Sequence, residues 1–312
     1  MSLSIVFMGT APLACASLEA LRAAPGLEVA AVVTQPDRPK GRDLRPQASA
    51  VKQTAIRLGL RLFQPLKARD QAFLAHLREV APDLIVVAAY GQILPAAILE
   101  TPRFGCLNVH TSLLPKYRGA APIQWAILDG EAETGVTIMK MDAGLDTGAI
   151  LTQRATPIAD GDNAATLHDR LASLGAELLT ATITPYVQGK IQPQAQDEAR
   201  ASYARKITKD DGRLDWTQPA RMLWNRVRGL TSWPGTFTHA DGQLLKIWRA
   251  SVESAGQGAP GEILAADKSG LMVACGAQAL RLEEVQREGG RRMTAAEYLG
   301  GHPLKMGARL GV

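Results

Sequence analysis

Short apolar runs alternate with helix-period segments along the first part of the chain. Leu3 to Met8 is continuously apolar and stops at Gly9-Thr10, as a strand buried on both faces reads. About Pro12 to Arg22 has helical spacing, and Leu27 to Thr34 is a second apolar run. Gln71 to Val80 predicts a helix and Leu84 to Ala88 another strand. Leu167, Leu171, Leu174, Leu178 and Leu179 recur at helical spacing and predict a helix from Asn163 to about Gln188. Strands alternating with helices imply an α/β fold with a doubly wound, mostly parallel, Rossmann-like sheet, whose ligands lie beyond the carboxyl ends of the strands.

The pattern then changes. Residues 190–203 are polar, carry Pro193 and lack apolar period, as a linker would. Beyond Ala204, short apolar runs broken by Gly and Asp follow one helix, about Gln218 to Gly229, and suggest a small OB-like β-barrel domain. The expected division is 1–189, a linker at 190–203, and 204–312; a chain of 312 residues is long enough for two cores.

Candidate chemistry concentrates between Phe104 and Ala149. A strand, Cys106 to Val109, carries Asn108 and His110 two residues apart, so both side chains leave one face. A loop from Thr111 to Ala121, stiffened by Pro115 and loosened at Gly119, leads to a helix, Pro122 to about Leu128. A second strand, Gly135 to Met141, runs into a Gly-punctuated turn with Asp142 and Asp146. An amide, an imidazole and a carboxylate delivered this way suit acyl transfer to an amine. Asn108 can donate to a developing oxyanion, His110 can donate or move a proton, and Asp146 can hold the imidazole in one tautomer and accept a proton. The same residues also fit hydrogen-bonded structural groups and an ordinary turn.

Composition excludes more than it selects. Charged residues at 21% and hydrophobic ones at 46% are ordinary for a soluble globular protein. The net charge of +5 is modest, so its distribution matters more. Residues 35–69 hold nine basic against two acidic side chains, and 200–249 hold ten against four. Each cluster is either a solvated surface or a phosphate-binding one; the first part of the earlier cluster, QPDRPKGRDLRPQ, reads as an exposed loop. Cys15, Cys106 and Cys275 show no paired or metal spacing and read as buried thiols. Gly9-Thr10-Ala11-Pro12-Leu13 lacks the glycines of a dinucleotide fingerprint, which argues against nicotinamide or flavin. His168 falls within a helix and is assigned no role. No leader pattern or membrane-length run is present, so a cytoplasmic protein without membrane contact is expected.

Asn108-x-His110-x-Ser112-Leu113-Leu114-Pro115, followed by Lys116-Tyr117-Arg118-Gly119, and Asp146-Thr147-Gly148-Ala149 resemble the signature of the formyltransferases that use 10-formyltetrahydrofolate. The resemblance implies catalysis by Asn108, His110 and Asp146, with direct amine attack on a folate-borne formyl group and no metal. It also implies folate contacts at Ser112, Leu113, Leu114 and Pro115, and along the strand-to-helix segment at Tyr90, Gly91, Ile93 and Leu94. Ala120 to Ala126 is closest to the members whose acceptor is methionine carried by initiator tRNA, and Trp233-Pro234-Gly235 resembles their C-terminal domain. For such a member, the basic segment near residue 40 implies tRNA contacts at Lys40, Arg42 and Arg45, with Lys206 and Lys209 joining them. Thr111 and Ala11-Pro12-Leu13 depart from the usual family residues. The expected partners are initiator Met-tRNA and folate, met by a monomer. The alternatives are transfer to a nucleotide-linked amino sugar or to glycinamide ribonucleotide, hydrolysis of the folate, and tRNA binding without transfer.

Overall fold

The computed structural model describes residues 2–40 and 45–311, the side chains of Lys40 and Arg45 excepted. Contacts divide the chain into two compact units that are not contiguous in sequence. One comprises 1–122, 133–157 and 168–204; the other comprises 123–132, 158–167 and 205–312.

In the first unit, β1 (Leu3–Gly9), α1 (Leu13–Ala23) and β2 (Leu27–Val33) follow the apolar pattern closely. Next come β3 (Arg38–Lys40) and β4 (Arg45–Gln47), which pair antiparallel. The basic segment expected as loop is thus partly a short ribbon, because extended backbone suits both Pro39 and Pro46, which face each other. The helix α2 (Ala50–Arg57) is N-capped by Ser49, whose hydroxyl accepts from Lys52 N. After β5 (Leu62–Phe63), α3 (Gln71–Val80) buries Phe73, Leu74 and Leu77 and stops at Ala81 in a left-handed conformation, just before Pro82. All five residues of β6 (Leu84–Ala88) are buried, as a central parallel strand requires. The short helix α4 (Ala96–Leu99) leads to β7 (Cys106–His110) and β8 (Arg118–Gly119).

The helix α5 (Pro122–Leu128) precedes β9 (Glu133–Lys140), β10 (Ile150–Pro157) and α6 (Ala164–Val187). One sheet runs β10-β9-β7-β6-β1-β2-β5. It is parallel except at β9 and β10, which are antiparallel to their neighbours. The edge strand β10 escapes the apolar pattern because most of its residues are not buried. The polar stretch expected as linker is ordered against this unit. Gln194 exchanges two backbone hydrogen bonds with Ile150, and β11 (Tyr203–Ala204) pairs with β8. Cys106 is buried as expected, but Cys15 is only half-buried.

Beyond residue 205 the second unit, which also takes in 123–132 and 158–167, forms α7 (Ala220–Gly229) and continues in antiparallel strands. These are β12 (Thr236–Ala240), β13 (Gln243–Glu253), β14 (Ile263–Asp267), β15 (Gly270–Ala274), β16 (Ala279–Arg287) and β17 (Met293–Thr294). Their order is β12-β13-β16-β15-β14, with β17 also on β16. This is the small antiparallel β unit that the broken apolar runs imply. Its core joins Trp216, Leu223, Val227, Leu245, Leu271, Leu280 and Val285; each such side chain contributes about 1.5–3 kcal/mol on burial. The last helix, α8 (Ala295–Gly301), begins with a reciprocal cap between Thr294 and Glu297. Among the described residues no helix is long and apolar enough to cross a membrane.

Candidate active site

The strand β7 lies between parallel β6 and antiparallel β9, so its carboxyl end opens where a doubly wound sheet binds ligands. Asn108 is half-buried there and His110 is 6% exposed. Asp146 comes from the turn between β9 and β10. Asp142 organises that turn, its Oδ1 accepting from Gly144 N at 3.0 Å and Thr147 Oγ1 at 2.7 Å. A Cβ on Gly148 would lie 1.9 Å from the Lys140 carbonyl oxygen, so only glycine lets the turn close onto the end of β9. Asp146 itself sits at φ +53°, in the left-handed region that Asp tolerates better than most residues.

These three side chains meet. Asn108 Nδ2 donates to Asp146 Oδ1 at 3.3 Å, and His110 Nδ1 lies 3.7 Å from Asp146 Oδ2. The Gly119 backbone N–H donates to the same Oδ2 at 2.8 Å. One expected detail changes. His110 Nε2 is 2.9 Å from the Tyr117 carbonyl oxygen, which can only accept, so Nε2 carries a proton. The Tyr117 backbone, more than Asp146, therefore sets the imidazole's orientation. Nδ1 is left facing the carboxylate.

The loop after β7 is braced from within. Ser112 is fully buried, and its hydroxyl donates to the Lys116 carbonyl at 2.6 Å. Thr137 Oγ1 donates to Ser112 O at 2.7 Å and accepts from Leu114 N at 3.1 Å. Gln153 Nε2 donates to Leu114 O at 2.8 Å, and the Leu114–Pro115 bond is cis. The Ser112 hydroxyl and the Leu114 backbone thus brace the loop, with both side chains buried, while those of Leu113 and Pro115 stay partly exposed.

The 90–94 segment divides similarly. Tyr90 and Leu94 are core residues packed with Val6, Phe73 and Ile85, whereas Gly91 and Ile93 are exposed, Ile93 at 87%. Burial pushes the Tyr90 phenol up to about 12, and its hydroxyl has no hydrogen-bond partner among the described residues. The Tyr90 carbonyl accepts from Thr10 Oγ1 at 2.9 Å and Gln35 Nε2 at 2.8 Å. Any ligand contact by Tyr90 or Leu94 must therefore be made by the backbone.

Sequence reasoning missed the polar residues behind the turn. Gln196 lies in the stretch expected as linker, yet its amide reaches the Asp146 turn and the buried Arg118. Arg118 also pairs with Glu198 at 2.7 Å; that hydrogen bond raises the arginine's pKa and lowers the carboxylate's. The available signal was Arg118 within Lys-Tyr-Arg-Gly; nothing in the linker's composition singled out Gln196.

The basic clusters are less available than their counts imply. Arg42 lies outside the described residues, as do the side chains of Lys40 and Arg45. Lys52 pairs with Asp37 at 2.7 Å, and Arg57 pairs with Glu19. In the second unit Arg205 pairs with Asp211, Arg221 with Asp160, and Arg228 is buried against Asn225. Lys206 and Lys209 are exposed. Among the described residues no group of three or more His, Cys, Asp or Glu is placed to hold a metal ion.

Comparison with known proteins adds three kinds of likeness. A family profile described as formyl transferase matches residues 3–183, and one described as formyl transferase, C-terminal domain, matches 206–303. The methionyl-tRNA formyltransferase of Thiobacillus denitrificans is 52% identical over 309 residues, 98% of this chain and 99% of that protein. That of Caldanaerobacter subterraneus subsp. tengcongensis is 50% identical over 308 residues, 98% and 99%. Among solved structures, the sugar 3N-formyl transferase WlaRD superposes with TM-score 0.66 at 19% identity, covering 90% of this chain and 98% of that one. HypX from Aquifex aeolicus in complex with tetrahydrofolic acid gives 0.63 at 18%, covering 96% and 47%. The last two show the fold alone.

Proposed function

This chain belongs to the formyl transferase family, and from that premise we propose that it moves the formyl group of 10-formyltetrahydrofolate to the α-amine of methionine esterified to initiator tRNA. The observation that carries the reading is the convergence of Asn108, His110 and Asp146, within 3.3 and 3.7 Å of one another through the carboxylate, at the carboxyl end of a central strand. Support for the acceptor comes from relatives of about half identity over nearly the whole chain, each named methionyl-tRNA formyltransferase.

The uncharged amine attacks the formyl carbon, the new N–C bond forms, and charge gathers on the formyl oxygen. Asn108 has one amide hydrogen on Asp146 and presents the other to that oxygen. His110, tethered through Nε2–H, turns Nδ1 toward the same space, where it donates to that oxygen as the doubly protonated ring. Asp146 takes the proton lost by the amine. As the N10–C bond breaks, that proton passes to N10, tetrahydrofolate leaves, and the carboxylate is restored. The pterin is assigned to the loop surface at Gly91, Ile93, Leu113 and Pro115, with Ser112, Leu114, Tyr90 and Leu94 shaping that surface or contributing backbone groups.

Catalysis is assigned to 1–189 and tRNA contact to 204–312, with 190–203 serving the catalytic side. Lys206 and Lys209, with Lys40, Arg42 and Arg45, are assigned to tRNA phosphates. The reading includes action as a monomer in the cytoplasm, where the initiator Met-tRNA acceptor would be met. The test is an assay with 10-formyltetrahydrofolate and radiolabelled Met-tRNA, run beside a nucleotide-linked amino sugar and glycinamide ribonucleotide. Formylation confined to Met-tRNA is expected; preferred formylation of either small acceptor, or folate hydrolysis alone, would overturn the assignment.

A further inference from the structure

Asp146 must hold a left-handed backbone while aiming its carboxylate at Asn108 and His110, and a side-chain brace behind the turn bears on both requirements. Gln196 Nε2 donates to the Asp146 carbonyl at 2.8 Å and to the Gly148 carbonyl at 2.7 Å. Its Oε1 accepts from Arg118 Nε at 3.1 Å and Nη2 at 2.9 Å. The amide orientation follows from its neighbours: reversed, it would turn N–H groups toward a cation and an oxygen toward two carbonyls. Arg118 is fully buried, and its guanidinium also meets Glu198, with Nη1 to Oε2 at 2.9 Å and Nη2 to Oε1 at 2.7 Å. Its backbone leads directly into Gly119, whose N–H holds Asp146 Oδ2 at 2.8 Å. Gly119 has φ +111°, and a Cβ there would meet the Ala204 carbonyl oxygen at 2.9 Å, so this close strand pairing demands glycine.

We propose that Gln196 and Arg118 are positioning residues for Asp146. Gln196 holds the main chain of the turn from behind, Gly119 holds the carboxylate from the front, and the Arg118 guanidinium ties the two together. The inference rests on the catalytic reading of Asp146 given above. It assigns a catalytic task to a polar segment that looks like a connector, since all four hydrogen-bonding positions of one amide are used to place one aspartate. A carboxylate displaced by a fraction of an ångström would still bind both substrates but would transfer protons poorly.

The test is a double-mutant cycle in the full chain, with steady-state kinetics for 10-formyltetrahydrofolate and Met-tRNA. Gln196→Ala should lower kcat about tenfold or more, with both KM values within about twofold of wild type. In an Asp146→Ala background the same substitution should change kcat less than about twofold, because there is no longer a carboxylate to place. Gln196→Glu keeps an acceptor for Arg118 but loses both donors to the turn, so it should fall as far as Gln196→Ala. If Gln196→Ala does not fold, Gln196→Glu carries the cycle. An equal loss in both backgrounds, raised KM with unchanged kcat, or full activity in Gln196→Glu would overturn the proposal. Near-normal turnover of Asp146→Ala alone would instead remove the catalytic reading beneath it.

Discussion

Asp146 and Asp211 are both carboxylates held at a turn, and they are held for different ends. Asp211 accepts from Arg205 Nη1 at 2.9 Å and Nη2 at 2.5 Å, from Thr208 N at 2.7 Å and from Thr208 Oγ1 at 2.9 Å. Its charge is met by a guanidinium, both its oxygens are hydrogen-bonded, and the Arg205 hydrogen bonds hold its pKa well below the usual carboxylate range. Asp146 instead accepts from one amide and one backbone N–H, with an imidazole at 3.7 Å and, among the described residues, no guanidinium bonded to the carboxylate. The Arg118 guanidinium bonds to Gln196, whose amide holds the Asp146 main chain and not its carboxylate. A carboxylate bonded on every side stabilises a turn but is a poor proton acceptor. Asp146 is held instead by two neutral donors, which orient its carboxylate beside Asn108 and His110.

The largest expected effect breaks the catalytic side of this contrast. Asn108→Ala and Asp146→Ala should each lower kcat by roughly a hundredfold or more, with folate binding and thermal unfolding little changed. Turnover near wild type in either variant would return these residues to a structural role. Asp211→Ala should do the reverse. Losing a paired, mostly buried carboxylate whose partner is half exposed costs about 1–3 kcal/mol, and folate KM should stay constant. Urea titration reads the loss; unchanged stability would make the pair ornamental.

The Asp211 pair should also show itself toward acid. The pKa of Asp211 is depressed on folding, so its contribution is full above its unfolded value of about 4 and is lost as pH falls through the lower folded value. Stability should therefore decline below about pH 4 in wild type and more shallowly in Asp211→Asn. Parallel acid profiles would contradict the assignment. The smallest effect concerns the loop that the Asp211 turn displays. Lys206→Ala and Lys209→Ala should each raise the KM for tRNA about two- to fivefold, reduce its salt dependence and leave kcat intact. A KM for tRNA that ignores ionic strength would remove these lysines from the interface.

Much of this was legible in the chain itself. Apolar runs and helical spacing placed β1, β6, β7, α3 and α6 within a few residues of their observed ends, because buried parallel strands and amphipathic helices impose their period locally. The same period put Asn108 and His110 on one face, and the motif singled out Asp146. The pairing of the proline-bearing segments around 38–47 and the edge strand β10 escaped notice, since neither carries an apolar alternation.

What the sequence determined by itself is therefore local: which segments bury, which face a side chain leaves, and which residue types are available for chemistry. Only the tertiary structure decided which partner each polar group takes. It gave His110 to the Tyr117 carbonyl, sent Tyr90 into the core, consumed several arginines in ion pairs and brought Gln196 to Asp146 across fifty positions. A hydrogen bond between distant residues depends on strand register and turn geometry summed over the whole sheet, and that sum is not written at either residue.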